Sequence, residues 1–167
     1  MDRARVGWLF VAVQVVLLVT LVLLPRGDAW PMPGWLLGIA GGLTVLGLVV
    51  VVVASLNLGR ALTPTPVPNG QGGLRTGGLY RFVRHPIYTG VLSIVLGIAL
   101  GTGRWSGAVL AAVTVVFFVL KARWEEARLV EAFPGYVAYA ASTPRFVPFV
   151  PARLVRPPSD SAGQRDD

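Results

Sequence analysis

The chain reads as an all-α polytopic membrane protein, four transmembrane helices followed by a cytoplasmic interfacial helix, and three observations carry that expectation. Of its 167 residues, 54% are hydrophobic and 14% charged, whereas a soluble domain is about 45–50% apolar. Uncharged runs occupy 6–24, 35–58, 87–103 and 105–120, and about 20 apolar residues cross a hydrocarbon core as helix. Between the runs lie the breakers that end helices, first Pro25, Gly27, Pro31 and Pro33, later Gly101-Thr102-Gly103.

Taken in order, the run 6–24 is long for a signal peptide core of about 7–15 residues, and no small-x-small cleavage pattern follows it, so it is expected to remain as a span. The run 35–58 carries Gly38 and Gly42 at GxxxG spacing, which permits close helix contact, within the chain or with a second copy in a dimer. Residues 59–80 are polar and rich in breakers, with Pro64, Pro66, Pro68 and Asn69-Gly70-Gln71-Gly72-Gly73, and a connector of that length is commonly functional. Pro86 suits the first turn of the third helix, where a missing N–H costs nothing. The fourth run is somewhat short, so Lys121 and Arg123 must snorkel or the helix must continue past the membrane surface; continuation is the expectation. Over 121–133, Trp124, Leu129, Val130 and Phe133 recur at helical spacing among charges, as in an interfacial helix. Pro134-Gly135 breaks it, Tyr136 and Tyr139 fall on a further short helix, and Pro144, Pro148 and Pro151 make the next segment extended. Residues 1–156 form one domain, and the polar tail 157–167 is expected to be disordered.

Composition also excludes chemistries. The chain has no Cys, which removes disulfides, thiolate metal sites and cysteine nucleophiles, and with one His no metal site is expected. Its net charge of +7 is concentrated beside the apolar spans, which points to lipid headgroups and topology, not nucleic acid. With four spans, thirteen of the fifteen basic residues fall on the side of the N-terminus, the 59–86 loop and the tail, and only Arg26 and Arg104 on the other. The excess marks the first side as cytoplasmic and places both termini on the inner face of the cytoplasmic membrane.

Two groups of residues on that face carry chemistry. Arg84 and His85 precede the third helix, where unpaired N–H groups and the helix dipole attract an anion; with Tyr88 they also suit interfacial anchoring. Glu125 and Glu126 follow the fourth span at a helix end where negative charge opposes the dipole. Consecutive helical residues point about 100° apart, so one carboxylate can face a site while the other meets solvent or a base. Ordinary pairing, Lys121 with Glu125 and Arg123 with Glu126, is the simpler account of the same residues. Tyr80 is either a belt residue or a ring over a bound cation.

Together and in order, Leu74-Arg75-Thr76-Gly77-Gly78-Leu79-Tyr80, Arg84-His85-Pro86-x-Tyr88-x-Gly90, Glu125-Glu126-x-x-Leu129, Phe133, Gly135, Tyr136, Tyr139 and Arg145-Phe146-x-Pro148 resemble the isoprenylcysteine carboxyl methyltransferase and phospholipid methyltransferase superfamily of integral membrane enzymes. The resemblance spans residues 72–148 and implies S-adenosylmethionine as cofactor, leaving as S-adenosylhomocysteine. It implies a pocket formed by Gly73, Leu74, Arg75, Tyr80, Arg84, His85, Pro86, Ile87, Tyr88 and Glu125, with His85, Glu125 and Glu126 as candidates for catalysis. A sulfonium and an ammonium want rings and acids, and a carboxylate wants helix-end donors, which these residues offer. The acceptor implied is a lipid-soluble carboxylate, amine, phenol or thiol. Lys121 stands where the prenylcysteine enzymes carry an Arg that contacts the substrate carboxylate, and Lys lacks the bidentate fork. A small transporter is the rival outside enzymology, disfavoured because the first two spans contain no ionisable residue; a non-catalytic membrane protein of the same fold is the other.

Overall fold

A computed structural model describes residues 2–59 and 73–150. The expectations for the proline- and glycine-rich stretch 60–72 and for the tail 157–167 lie outside the described residues.

Among the described residues the chain is all-helical. The elements are α1 (Arg3–Leu23), α2 (Gly34–Leu58), a 3-10 turn (Gly78–Arg81), α3 (Pro86–Gly101), α4 (Trp105–Ala132) and α5 (Tyr136–Ser142). Three of them, α1, α2 and α4, are long and apolar enough to cross a membrane, and α3 is a shorter apolar helix of 16 residues. Most of the large apolar side chains of α1 and α2 face outward, as expected where lipid replaces water as the solvent.

The helices run up and down. The 24–33 turn is pinned to the α3–α4 turn at the opposite end from the candidate residues, with Gly27 N–H donating to the Thr102 carbonyl at 2.7 Å and Ala29 N–H to that of Gly103 at 2.8 Å. Gly103 ends that turn at φ +62°, a left-handed conformation that Gly adopts without strain. Trp30 packs edge-on to Trp105 there, while Trp35 and Trp105 are exposed, marking that end with an aromatic belt.

The closest helix pair is α2 with α3, and glycines make it so. A Cβ at Gly47 would lie 2.5 Å from the Gly90 carbonyl oxygen, one at Gly90 2.6 Å from that of Gly47, and one at Gly97 2.5 Å from the Ala40 carbonyl. Ser93 Oγ adds a bond to the Leu43 carbonyl at 2.8 Å. Gly38 and Gly42, which carry the GxxxG spacing, meet nothing within 4 Å: the close contact inside the chain is made by Ala40, Thr44, Gly47 and Val51, which at about 100° per residue lie on the opposite face of α2. A small core of Leu21, Val95, Ala99 and Ala111 joins α1, α3 and α4.

Continuation of the fourth run is what the structure shows. α4 is one helix of 28 residues, so 121–132 is its extension and not a separate interfacial helix. Pro134-Gly135 ends it and reverses the chain into α5. The 143–150 segment then returns to the start of α3, where Arg84 N–H donates to the Pro144 carbonyl at 2.8 Å and His85 N–H to that of Arg145 at 3.1 Å.

Candidate functional site

His85 caps α3 by position, but its side chain makes no capping bond, and Pro86 at the first helical position contributes no N–H. The N–H groups of Ile87 and Tyr88 therefore open the helix without an intrahelical acceptor. The imidazole instead stacks on Tyr88, with ring centroids 5.2 Å apart and planes 1° from parallel. Phe146 and Phe118 close against this pair, Phe118 lying 5.0 Å from Tyr88 between centroids.

The adjacent glutamates separate into different environments. Glu126 is 2% exposed and is gripped by three residues from two places in the sequence. Arg145 donates to it through Nε at 2.9 Å and Nη2 at 2.5 Å, a two-point fork; His85 Nε2 lies 3.2 Å away; Arg84 Nε stands at 3.3 Å as an ion pair. Arg84 Nη1 also donates to the Ala140 carbonyl at 2.9 Å, tying in α5. A carboxylate held by so many donors is ionised and only accepts, so the Nε2 position of His85 carries the hydrogen. Its Nδ1 faces Glu125, 3.7 Å away. Glu125 is only partly buried and accepts from the Tyr88 hydroxyl at 2.8 Å.

The sequence-level pairing of Lys121 with Glu125 and Arg123 with Glu126 is thus replaced for Glu126 by Arg84, His85 and Arg145. Lys121 turns inward instead of snorkelling. It is 4% exposed, donates to Gln14 Oε1 of α1 at 2.5 Å, and lies 5.2 Å from the Tyr88 ring centre and 5.8 Å from that of Phe118. An ionisable group in the interior of a membrane bundle is costly and points to function.

Tyr80 is buried in the 3-10 turn, where its carbonyl accepts from the Tyr139 hydroxyl. Burial first, then the Glu125 charge, raises the Tyr80 phenol above its ordinary range. Burial pushes Tyr139 up to about 12 against the opposing effect of Arg84, so both remain hydroxyls at neutral pH. Arg145 is held more firmly protonated by its bond to Glu126, which outweighs its desolvation. One buried polar atom beside this network, the Tyr136 hydroxyl, lacks a hydrogen-bond partner, leaving a donor for a polar ligand.

The structure therefore brings together Tyr80, Arg84, His85, Pro86, Ile87, Tyr88, Lys121, Glu125 and Glu126. Gly73 and Arg75 are exposed and Leu74 half-buried in the coil leading to the 3-10 turn, outside the bonded cluster just described. Arg145, Tyr136 and Gln14 belong to the cluster or its border, though the residue pattern assigned none of them a role. Arg145 and Tyr136 stood within the quoted motifs and could have been found there; Gln14, a lone amide in an apolar helix, gave only its rarity as a signal.

No metal-binding group of three or more His, Cys, Asp or Glu occurs among the described residues. Residues 35–135 match the family model for phospholipid methyltransferase, which takes in α2 as well as the motifs around His85 and Glu125. No curated protein and no solved structure matches the chain. More than half of the sequence lies within that family match: the chain belongs to the phospholipid methyltransferase family, within the superfamily of membrane methyltransferases that also contains the isoprenylcysteine enzymes.

Proposed function

We propose that the chain transfers a methyl group from S-adenosylmethionine to a nucleophile on a lipid-borne acceptor, with the site and both termini on the cytoplasmic side of the inner membrane. The observation that supports this most is the division between the two glutamates. Glu126 is occupied by Arg84, His85 and Arg145, whereas Glu125, Tyr88 and His85 Nδ1 meet beside the uncapped start of α3.

The residues present fit the cofactor. Glu125 and the ring of Tyr80 suit its cationic groups, and the N–H groups opening α3, with the unpartnered Tyr136 hydroxyl, suit its carboxylate. When bound, S-adenosylmethionine supplies a methyl group activated by a sulfonium. The protein's part is to orient the nucleophile, exclude water and handle the proton. With Nε2 bonded to Glu126, His85 Nδ1 is the nitrogen that can accept a proton, and Glu125 is placed to stabilise the imidazolium that results. A carboxylate acceptor would need no such step; an ammonium would. Lys121, whose bonded partner is the neutral amide of Gln14, suits an anionic group on the acceptor, and the phosphodiester of a phospholipid would give it a counter-ion.

Calorimetric titration of the purified protein with S-adenosylhomocysteine tests the pocket. His85→Ala and Glu125→Ala should each weaken binding by about 1–3 kcal/mol, the loss of one hydrogen bond to a charged group. Wild-type affinity in both variants would overturn the assignment. Labelled methyl transfer into fractionated lipid extracts then identifies the acceptor.

A further inference from the structure

The segment after Arg145 has two unlike faces. Its inner side is bonded to the site: the Arg145 carbonyl accepts from His85 N–H, and the Phe146 carbonyl accepts from Thr89 Oγ1 at 2.7 Å. Its outer side presents Val147, Phe149 and Val150 at 58%, 94% and 52% exposure. Phe149 adopts φ +66°, a left-handed conformation uncommon for a bulky residue, and it leaves the ring almost free of protein.

The length of α3 says what surrounds these side chains. Its 16 residues rise about 24 Å as α-helix, and its far end is fixed at one membrane boundary by the tryptophan belt of Trp30, Trp35 and Trp105. A hydrocarbon core is about 30 Å thick, so the first turn of α3 stops about 6 Å short of the opposite boundary, and tilt would shorten its reach further. The strap bonded to that turn lies within the apolar slab, adjoining the lipid-facing surface of the helices. We propose that Val147, Phe149 and Val150 form a wedge immersed in the acyl-chain region of the same bilayer, beside the mouth of the site. Where the acceptor is lipid-borne, as proposed above, the wedge lets it meet the site at its own depth; immersion itself does not depend on that reading.

Because the chain contains no cysteine, one introduced thiol carries one spin label. Phe149→Cys and Val147→Cys, labelled with a nitroxide in phosphatidylcholine nanodiscs, should show collision with oxygen several-fold more effective than with a water-soluble nickel chelate. Their oxygen preference should fall between that of Val116→Cys, an exposed position midway along α4, and that of Ala132→Cys at its exposed far end. Ready access of the chelate to both positions would overturn the proposal in favour of a strap lying in water. Exclusion of both reagents, with dipolar broadening, would overturn it in favour of contact with a second copy of the chain.

Discussion

Glu126→Gln separates a structural from a chemical role for the glutamate pair. The substitution keeps shape but removes the charge that faces Arg145 at 2.9 and 2.5 Å, His85 at 3.2 Å and Arg84 at 3.3 Å. Arg84 is itself 4% exposed, so the variant leaves a buried cation uncompensated, and breaking such a pair from one side costs about 3–5 kcal/mol. At about 1.4 kcal/mol per tenfold, the folding equilibrium shifts by two to three and a half powers of ten. Glu125→Gln is expected to behave otherwise. Glu125 is partly exposed, its bond to the Tyr88 hydroxyl survives with an amide oxygen as acceptor, and the cost in stability stays under about 1 kcal/mol. Thermal unfolding in detergent should therefore show a large loss for Glu126→Gln and a small one for Glu125→Gln, while titration with S-adenosylhomocysteine shows the larger relative loss of affinity for Glu125→Gln. A Glu126→Gln protein as stable as wild type, or a Glu125→Gln protein that unfolds as readily, would refute the division.

Two further outcomes follow from the packing. Gly47→Leu should destabilise the helix pair by about 1–3 kcal/mol or more, because even its Cβ would lie 2.5 Å from the Gly90 carbonyl oxygen; Gly38→Leu, where a Cβ meets nothing within 4 Å, should stay within about 0.5 kcal/mol, both read by thermal unfolding of the purified protein. Lys121→Met should raise the KM for the acceptor and leave S-adenosylhomocysteine affinity intact, and Lys121→Arg should preserve turnover if an anionic acceptor is held there.

The helices were legible because lipid-facing surface needs no periodicity: an uncharged run between breakers suffices, and Pro86, Pro134 and Gly135 fell where the elements begin and end. The helix contact was less legible. A GxxxG spacing at Gly38 and Gly42 states that close approach is allowed, but which small residues meet a neighbour depends on the face that α2 turns to α3. That face carries Ala40, Thr44, Gly47 and Val51, opposite Gly90 and Gly97 of the other helix, and Gly38 and Gly42 point away from it. Gln14 was unreadable for a related reason. Its partner is 107 residues away, and nothing near it in sequence distinguishes an amide that meets a buried ammonium from one that meets lipid.

The assignment of the two glutamates shows the same limit at the site. Adjacent helical positions differ by about 100° in direction, so the sequence implies two environments without saying which residue receives which. The decision is made by Arg145, 19 residues later, brought back by the Pro134-Gly135 reversal and the backbone bonds from Arg84 and His85 to 144–145. Those bonds join three separated segments around one carboxylate. The carboxylate in turn fixes which nitrogen of His85 bears the hydrogen and turns the other toward Glu125 and Tyr88. Closure of the fold and orientation of the imidazole therefore rest on the same contacts. A substitution at Arg145, whose side chain bonds to Glu126 and not to Glu125 or Tyr88, should accordingly disturb the proposed chemistry through His85.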